Sequence, residues 1–85
     1  MNPPTWQLYG TLGCHLCEQA EQLLQQFADT RAIEWVLVDI ADLPESDMNG
    51  LASLIPVLRT AQEQFNWPFS LADLMRAYQR ETSHD

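Results

Sequence analysis

Apolar and polar positions in the first third of the chain follow two different periods. "TWQLY" at residues 5–9 alternates and is rich in β-forming side chains, which predicts a first strand. From His15 to about Asp29, apolar side chains recur every three to four residues between glutamates and glutamines, which predicts an amphipathic helix of about four turns. Its apolar stripe is predicted to contain Leu16, Ala20, Leu23, Leu24 and Phe27.

A second strand is predicted for "IEWVLVDI" at residues 33–40. This segment is almost continuously apolar and rich in β-branched residues, a pattern typical of a parallel strand covered on both faces. A strand, a helix and a second strand within this length predict a βαβ unit with a right-handed crossover.

The rest of the chain predicts shorter elements. "PESDMNGLASL" at 44–54 predicts a short helix of at most one or two turns, or a loop. "IPVLRT" at 55–60 and "EQFNW" at 63–67 predict strands joined as an antiparallel hairpin. "PFSLADLMRAYQRE" predicts a closing helix that starts with a capping box formed by Ser70 and Asp73. The predicted fold class is therefore α/β, with a mixed four-stranded sheet in the order β-α-β-(α)-β-β-α and one domain over residues 1–85.

Composition and charge restrict the possible functions of this domain. The chain has 85 residues, of which 46% are hydrophobic and 19% charged, as expected of a folded soluble domain. The chain has twelve acidic residues but only four arginines and no lysine, which gives a net charge of −8. This charge argues against binding to nucleic acid or to an anionic membrane surface. The first ten residues carry no signal-peptide pattern, so we expect a cytoplasmic protein, and we expect it to be a monomer.

Two cysteines, the only ones in the chain, lie in "TLGCHLCEQAEQLL" at residues 11–24, where a turn leads into the first helix. A disulfide between Cys14 and Cys17 would close too short a loop to stabilise the fold strongly. A zinc site needs four ligands, and only His15 and His84 could join the cysteines, so we predict no metal site.

A reactive pair is the third interpretation, and the sequence favours it. The N-terminus of a helix stabilises a thiolate and lowers the pKa of a cysteine below its free value of roughly 8.5. Cys14 precedes the helix and is expected to be the more exposed, whereas Cys17 lies at the edge of the apolar stripe. These positions predict Cys14 as the nucleophile and Cys17 as the resolving thiol.

Several other residues allow two interpretations each. A protonated His15 would favour the Cys14 thiolate, which Glu18 would oppose, but His15 could equally be a solvated residue at the helix start. Asp39 could assist proton transfer if it were buried below Cys17, or it could be a solvated residue at a strand end. Trp67 and Phe69 could form an apolar lip for a partner protein or belong to the core.

The block "LYGTLGCHLCEQAEQLL", followed by "VLVDI", "IPVLRT" and "FNWPFSLADLM", resembles the glutaredoxin-like family of small bacterial proteins within the thioredoxin superfamily. The resemblance implies a thioredoxin fold with helices on both faces of the sheet and Cys14 and Cys17 as a redox pair. It also implies a cis bond between Ile55 and Pro56, with the backbone of Ile55 binding an incoming cysteinyl strand. The implied function is a thiol–disulfide oxidoreductase acting on protein or small-molecule disulfides, and the alternative is a non-catalytic adaptor module or redox switch.

The residues around the pair depart from typical glutaredoxins, which have Cys-Pro-Tyr-Cys, a basic residue three positions before the first cysteine and a Gly-Gly turn before the last helix. Here His15 and Leu16 separate the cysteines, Thr11 occupies the basic position and residues 67–70 contain no glycine. We therefore expect weak binding of glutathione and no cofactor beyond the Cys14–Cys17 disulfide. The expected partner is a disulfide-bearing protein or a low-molecular-weight thiol, and Thr11, His15 and Glu18 are candidate modulators of the pKa of Cys14.

Overall fold

Strands and helices follow one another in the predicted order in the computed structural model, which describes residues 4–82. The elements are β1 (Thr5–Gly10), α1 (His15–Ala28), β2 (Glu34–Asp39), a 3₁₀ turn (Ile40–Asp42), α2 (Glu45–Leu51), β3 (Val57–Arg59), β4 (Gln64–Asn66) and α3 (Leu71–Thr82). The predicted α/β class and the short helix in the 44–54 segment are confirmed.

The four strands form one mixed sheet in the order β2-β1-β3-β4. β1 pairs with β2 in parallel and with β3 antiparallel, and β3 pairs with β4 antiparallel. The Thr60 N–H donates to the Glu63 carbonyl at 2.9 Å, so Ala61 and Gln62 form the tip of the predicted hairpin. β1 therefore lies between a parallel neighbour, β2, and an antiparallel neighbour, β3.

The main core lies between the sheet and the helices α1 and α3. Trp6 and Leu8 of β1 are completely buried there, together with Leu24 of α1 and Leu74 of α3. The Trp6 ring stacks on Phe27 of α1 with 5.8 Å between the ring centroids. The side chains of β1 thus pack against both the first helix, α1, and the last helix, α3.

A smaller core lies on the opposite face of the sheet. Tyr9, Val57, Ile40 and Leu51 are buried against one another there, and Leu51 belongs to α2. Helices therefore cover both faces of the sheet, as predicted. No helix within residues 4–82 is both long and apolar enough to cross a membrane.

The prediction that the second strand is covered on both faces was wrong. β2 is the edge strand of the sheet, and Val36 and Leu37, which point to opposite faces, remain 47% and 48% exposed. β1 runs through the middle of the sheet and carries the side chains buried on both faces. The apolar run in β2 therefore does not mark a central strand.

The predicted stripe of α1 was wrong in its first turn. Cys17, Ala20, Leu24 and Phe27 are buried, whereas Leu16 is 46% exposed. The helix is rotated so that Cys17 faces β1, which turns its neighbour Leu16 toward solvent. Cys17 therefore lies within the buried stripe rather than at its edge.

The start of α3 has the predicted capping box. The Ser70 N–H donates to an Asp73 carboxylate oxygen at 2.9 Å, and the Asp73 N–H donates to the Ser70 hydroxyl at 3.2 Å. Just before this cap, Phe69 is 5% exposed in the main core and Trp67 packs edge-on against it, which supports the core interpretation of both rings.

We expect Ser70→Ala to lower the free energy of unfolding by about 1 kcal/mol, because the substitution removes the side chain that caps α3. Urea denaturation at pH 7 measures this change. The matched control is Ser46→Ala, because α2 has no side-chain cap bond and starts after Pro44. Equal losses in the two variants would contradict a specific capping role for Ser70.

The same cap predicts a pH dependence. The Ser70 backbone N–H, followed by the Arg76 side chain, lowers the pKa of Asp73 below its usual value. The stabilisation by this carboxylate is complete above its unfolded-state pKa of about 3.9 and is lost as the pH falls through its lower folded-state pKa. We expect Asp73→Asn to be less stable than the wild type at pH 7, with the difference shrinking below about pH 4. A difference that stays constant between pH 7 and pH 2 would contradict this origin.

Candidate functional site

A short turn at the end of β1 brings the first cysteine to the start of α1. Gly13 has a φ of +77°, a backbone conformation that is readily adopted by glycine and strained for most other residues. The Cys14 N–H donates to the Thr11 carbonyl at 3.4 Å, and Cys14 then occupies the N-cap position of α1 in an extended conformation. The local sequence therefore places Cys14 at the N-terminus of the helix.

Cys14 and Cys17 are joined as a disulfide, with their Cα atoms 5.2 Å apart. The Cys17 backbone N–H donates to the Cys14 Sγ at 3.2 Å, so the helix N-terminus contacts the first sulfur directly. Cys14 is partly exposed and Cys17 is 2% exposed, as expected from their positions in the sequence. Of the two cysteines, only Cys14 is therefore accessible to a sulfur atom of another molecule.

Gly10, the last residue of β1, lies directly against the second cysteine. A Cβ atom added at Gly10 would lie 3.0 Å from the Cys17 Sγ and 3.2 Å from the Cys17 Cβ. These separations are shorter than ordinary van der Waals contacts, so the hydrogen side chain of glycine is what admits the buried sulfur. Gly10 was not among the predicted site residues, and its position four residues before Cys14 was the only signal for it in the sequence.

Pro56 lies at the same end of the sheet. It immediately precedes Val57, which pairs with Tyr9, so Pro56 is adjacent to the Gly10 end of β1. The Ile55–Pro56 bond is cis and Pro56 is buried. Both Pro56 and Cys17 are therefore placed around the end of β1. A second cis bond, between Trp67 and Pro68, was not predicted from the sequence.

The backbone of Ile55 has one free hydrogen-bonding group rather than two. Its N–H donates to the Leu51 carbonyl at the end of α2, at 3.1 Å. No hydrogen bond within residues 4–82 uses the Ile55 carbonyl. In this structure, an incoming strand would find the carbonyl available as an acceptor and the N–H already occupied.

The candidate modulators of Cys14 lie on the surface. Thr11, His15 and Glu18 are all exposed. Asp39 is partly exposed and accepts a hydrogen bond from the Ala41 N–H at 2.9 Å, so its carboxylate caps the 3₁₀ turn and supports the strand-end interpretation.

Two leucines beside the pair were not predicted as site residues. Leu12 is 90% exposed, two positions before Cys14, and Leu16 is exposed two positions after it. Both add apolar surface next to Cys14, a feature that helical periodicity could not reveal for Leu12 because Leu12 lies in a turn.

The part of the chain that the structure describes contains no group of three or more histidine, cysteine, aspartate or glutamate side chains arranged to hold a metal ion. His84, weighed above as a possible zinc ligand, lies outside the described residues.

Two solved structures are similar to this fold over most of its length. A structural genomics target, protein XcR50 from X. campestris, is 30% identical and superposes with a TM-score of 0.63 over 92% of this chain and 99% of that chain. Thioredoxin 1 from the thermophilic eubacterium Thermosipho africanus TCF52B is 16% identical, with a TM-score of 0.68 over 91% and 92% of the two chains. The second match confirms the thioredoxin fold.

A family comparison covers the sheet, the cysteine turn and most of α3. No curated protein sequence matches the chain significantly. The model of the family described as "Glutaredoxin-like domain (DUF836)" matches residues 5–79, which include the Cys14–Cys17 pair and Pro56. The chain therefore belongs to the glutaredoxin-like family.

Proposed function

We propose that this protein is a thiol–disulfide oxidoreductase in which Cys14 is the nucleophile and Cys17 the resolving thiol. The observation that carries the proposal is the asymmetry of the pair. Cys14 is partly exposed and its sulfur accepts a hydrogen bond from the Cys17 N–H at the start of α1, whereas Cys17 is buried and joined to it as a disulfide. A hydrogen bond and a helix N-terminus both stabilise the charged form of a thiol, so they favour the Cys14 thiolate.

The reaction has two exchange steps. The Cys14 thiolate attacks one sulfur of a substrate disulfide, which forms a mixed disulfide and releases the other substrate sulfur as a thiolate. Cys17 then loses its proton and attacks the Cys14 sulfur, which releases the second substrate thiol and forms the Cys14–Cys17 disulfide. The two electrons lost by the dithiol are gained by the substrate disulfide, and the reverse sequence oxidises a substrate dithiol.

Disulfides of proteins or of small molecules are the proposed substrates. The free Ile55 carbonyl can accept one backbone hydrogen bond from a substrate strand beside the pair. Thr11, at the position where typical glutaredoxins have a basic residue, has no charge to attract the carboxylates of glutathione. Glutathione is therefore proposed as a weak ligand rather than the dedicated partner.

Trapping experiments test the roles of the two thiols. With a disulfide substrate such as insulin, Cys17→Ser is expected to accumulate a mixed disulfide at Cys14, because the second step is blocked. Cys14→Ser, the matched control, is expected to form no adduct. Mass spectrometry under non-reducing conditions detects both products. If Cys17→Ser traps nothing and the wild-type protein reduces neither insulin nor glutathione-linked disulfides, the proposal is wrong.

A thiolate titration separates this function from the adaptor alternative. The ultraviolet absorbance of the reduced Cys17→Ser variant reports the Cys14 thiolate alone, and we expect the pKa of Cys14 to lie below the free value of about 8.5. An unshifted pKa would favour a binding module in which the pair is a redox switch or has no redox role.

A further inference from the structure

The two edges of the sheet differ in length and in exposed apolar surface. β4 has three residues and is followed by Pro68 after one further residue, so it offers little backbone for pairing. β2 has six residues without proline or glycine, and Val36 and Leu37 leave about half of their side chains exposed on opposite faces. Natural proteins usually protect a long edge strand with lysine, proline or a bulge. Here β2 contains neither lysine nor proline.

The backbone of β2 has hydrogen-bonding groups that point away from the sheet. The Glu34 N–H donates to the Pro4 carbonyl at 2.8 Å, so Glu34 directs its backbone groups toward β1. Because this direction alternates along a strand, Trp35 and Leu37 direct their N–H and C=O groups outward. No strand within residues 4–82 lies on that side. The edge is therefore a template for an added strand.

The charges along this edge favour a cationic partner. An exposed Glu34 begins β2 and Asp39 ends it, and the strand carries no basic residue. The whole chain has a net charge of −8, so a second copy would meet long-range repulsion, whereas a basic segment would be attracted.

We propose that the outer edge of β2 binds an extended segment of a partner protein, one with an apolar centre flanked by lysine or arginine, as a fifth strand. Hydrogen bonds to Trp35 and Leu37 hold its backbone. Its apolar residues contact Val36 on one face and Leu37 on the other, while its basic ends lie near Glu34 and Asp39. The Leu37 end of this docking site lies close to the disulfide, since a Cβ added at Gly10 would lie 3.7 Å from Leu37 Cδ1 and 3.0 Å from the Cys17 Sγ. Pairing of a strand with β2 does not depend on the proposed exchange activity.

Three fluorescent peptides test the site by anisotropy: RTVVVTR, the charge-reversed ETVVVTE, and RTVPVTR, in which proline removes a backbone donor. We expect RTVVVTR to bind the wild-type protein at least tenfold more tightly than either of the others. Hydrogen exchange should show new protection of the Trp35 and Leu37 amides. Equal affinity for the three peptides, or protection that excludes β2, would overturn the proposal.

Two charge-matched variants locate the binding surface. Leu37→Lys replaces an apolar contact on β2 and repels the basic peptide, so it is expected to weaken RTVVVTR binding at least tenfold. Leu71→Lys adds the same charge at an equally exposed leucine of α3 and is expected to retain most of the affinity, since Leu71 is 46% exposed and Leu37 is 48% exposed. Equal effects of the two variants would overturn the assignment to β2. A concentration-dependent dimer that protects the same β2 amides would also overturn it, in favour of a second copy as the occupant.

Discussion

Gly10→Ala is expected to shift the Cys14–Cys17 equilibrium toward the dithiol by about tenfold, which corresponds to a reduction potential less negative by about 30 mV. The added Cβ would lie 3.0 Å from the Cys17 Sγ. The disulfide fixes that sulfur in place, whereas the free thiol can rotate about its Cα–Cβ bond. Crowding of the sulfur therefore raises the free energy of the oxidised protein more than that of the reduced protein.

The potential is measured by equilibrating the protein with dithiothreitol redox buffers, which requires no catalytic turnover. The contact with the Cys17 Cβ, at 3.2 Å, is present in both redox states and is expected to destabilise both. Urea denaturation gives the free energy of unfolding of the oxidised and of the reduced protein. The loss common to both forms can then be separated from the additional loss in the oxidised form. Gly50→Ala is the matched control, because nothing lies within 4 Å of a Cβ at Gly50 in α2. Equal destabilisation of the two forms by Gly10→Ala, with an unchanged potential, would contradict the prediction.

Trp6→Ala is expected to lower the free energy of unfolding by about 3–5 kcal/mol, a large fraction of the stability of a domain of this size. The Trp6 ring is fully buried, stacks on Phe27 and donates its indole N–H to Glu81 at 2.9 Å. Its removal leaves a cavity between β1 and α1 and breaks the contact with the end of α3.

Urea denaturation followed by far-ultraviolet circular dichroism measures this loss without relying on tryptophan fluorescence. Trp35→Ala removes the same side chain from the edge strand, where it is only partly buried, and is expected to cost clearly less. If the two variants lose the same free energy, the main core is not centred on β1 as described.

Local patterns in the sequence predicted most of the fold, because they depend on interactions between residues close in the chain. The periodicity of α1 predicted its bounds to within one residue, and the spacing of Ser70 and Asp73 predicted the cap of α3. The two residues between the predicted third and fourth strands were enough to predict their antiparallel pairing.

Features that depend on the order of strands across the sheet could not be predicted in the same way. The apolar run in β2 is compatible with a central strand or with an exposed edge, and only the position of β3 beside β1 decides between them. The rotation of α1, which buries Cys17 and exposes Leu16, likewise depends on how the helix packs on the sheet, where Cys17 lies against Gly10 of β1. The cysteine spacing predicted that Cys14 and Cys17 lie within disulfide distance, whereas the small residue that makes room for Cys17 required the three-dimensional structure.

Under the proposed exchange function, the hydrogen bond from the Ile55 N–H to the Leu51 carbonyl would affect how fast different substrates engage the pair. A substrate strand that needs only the Ile55 carbonyl can dock without any change in the protein. A strand that also needs the N–H would have to wait until the turn at residues 52–54, which follows α2, opens. Its association rate would then level off at the opening rate as its concentration rises. Two substrates with the same final affinity would then bind at different rates, because only one of them would be limited by the opening of the turn after α2.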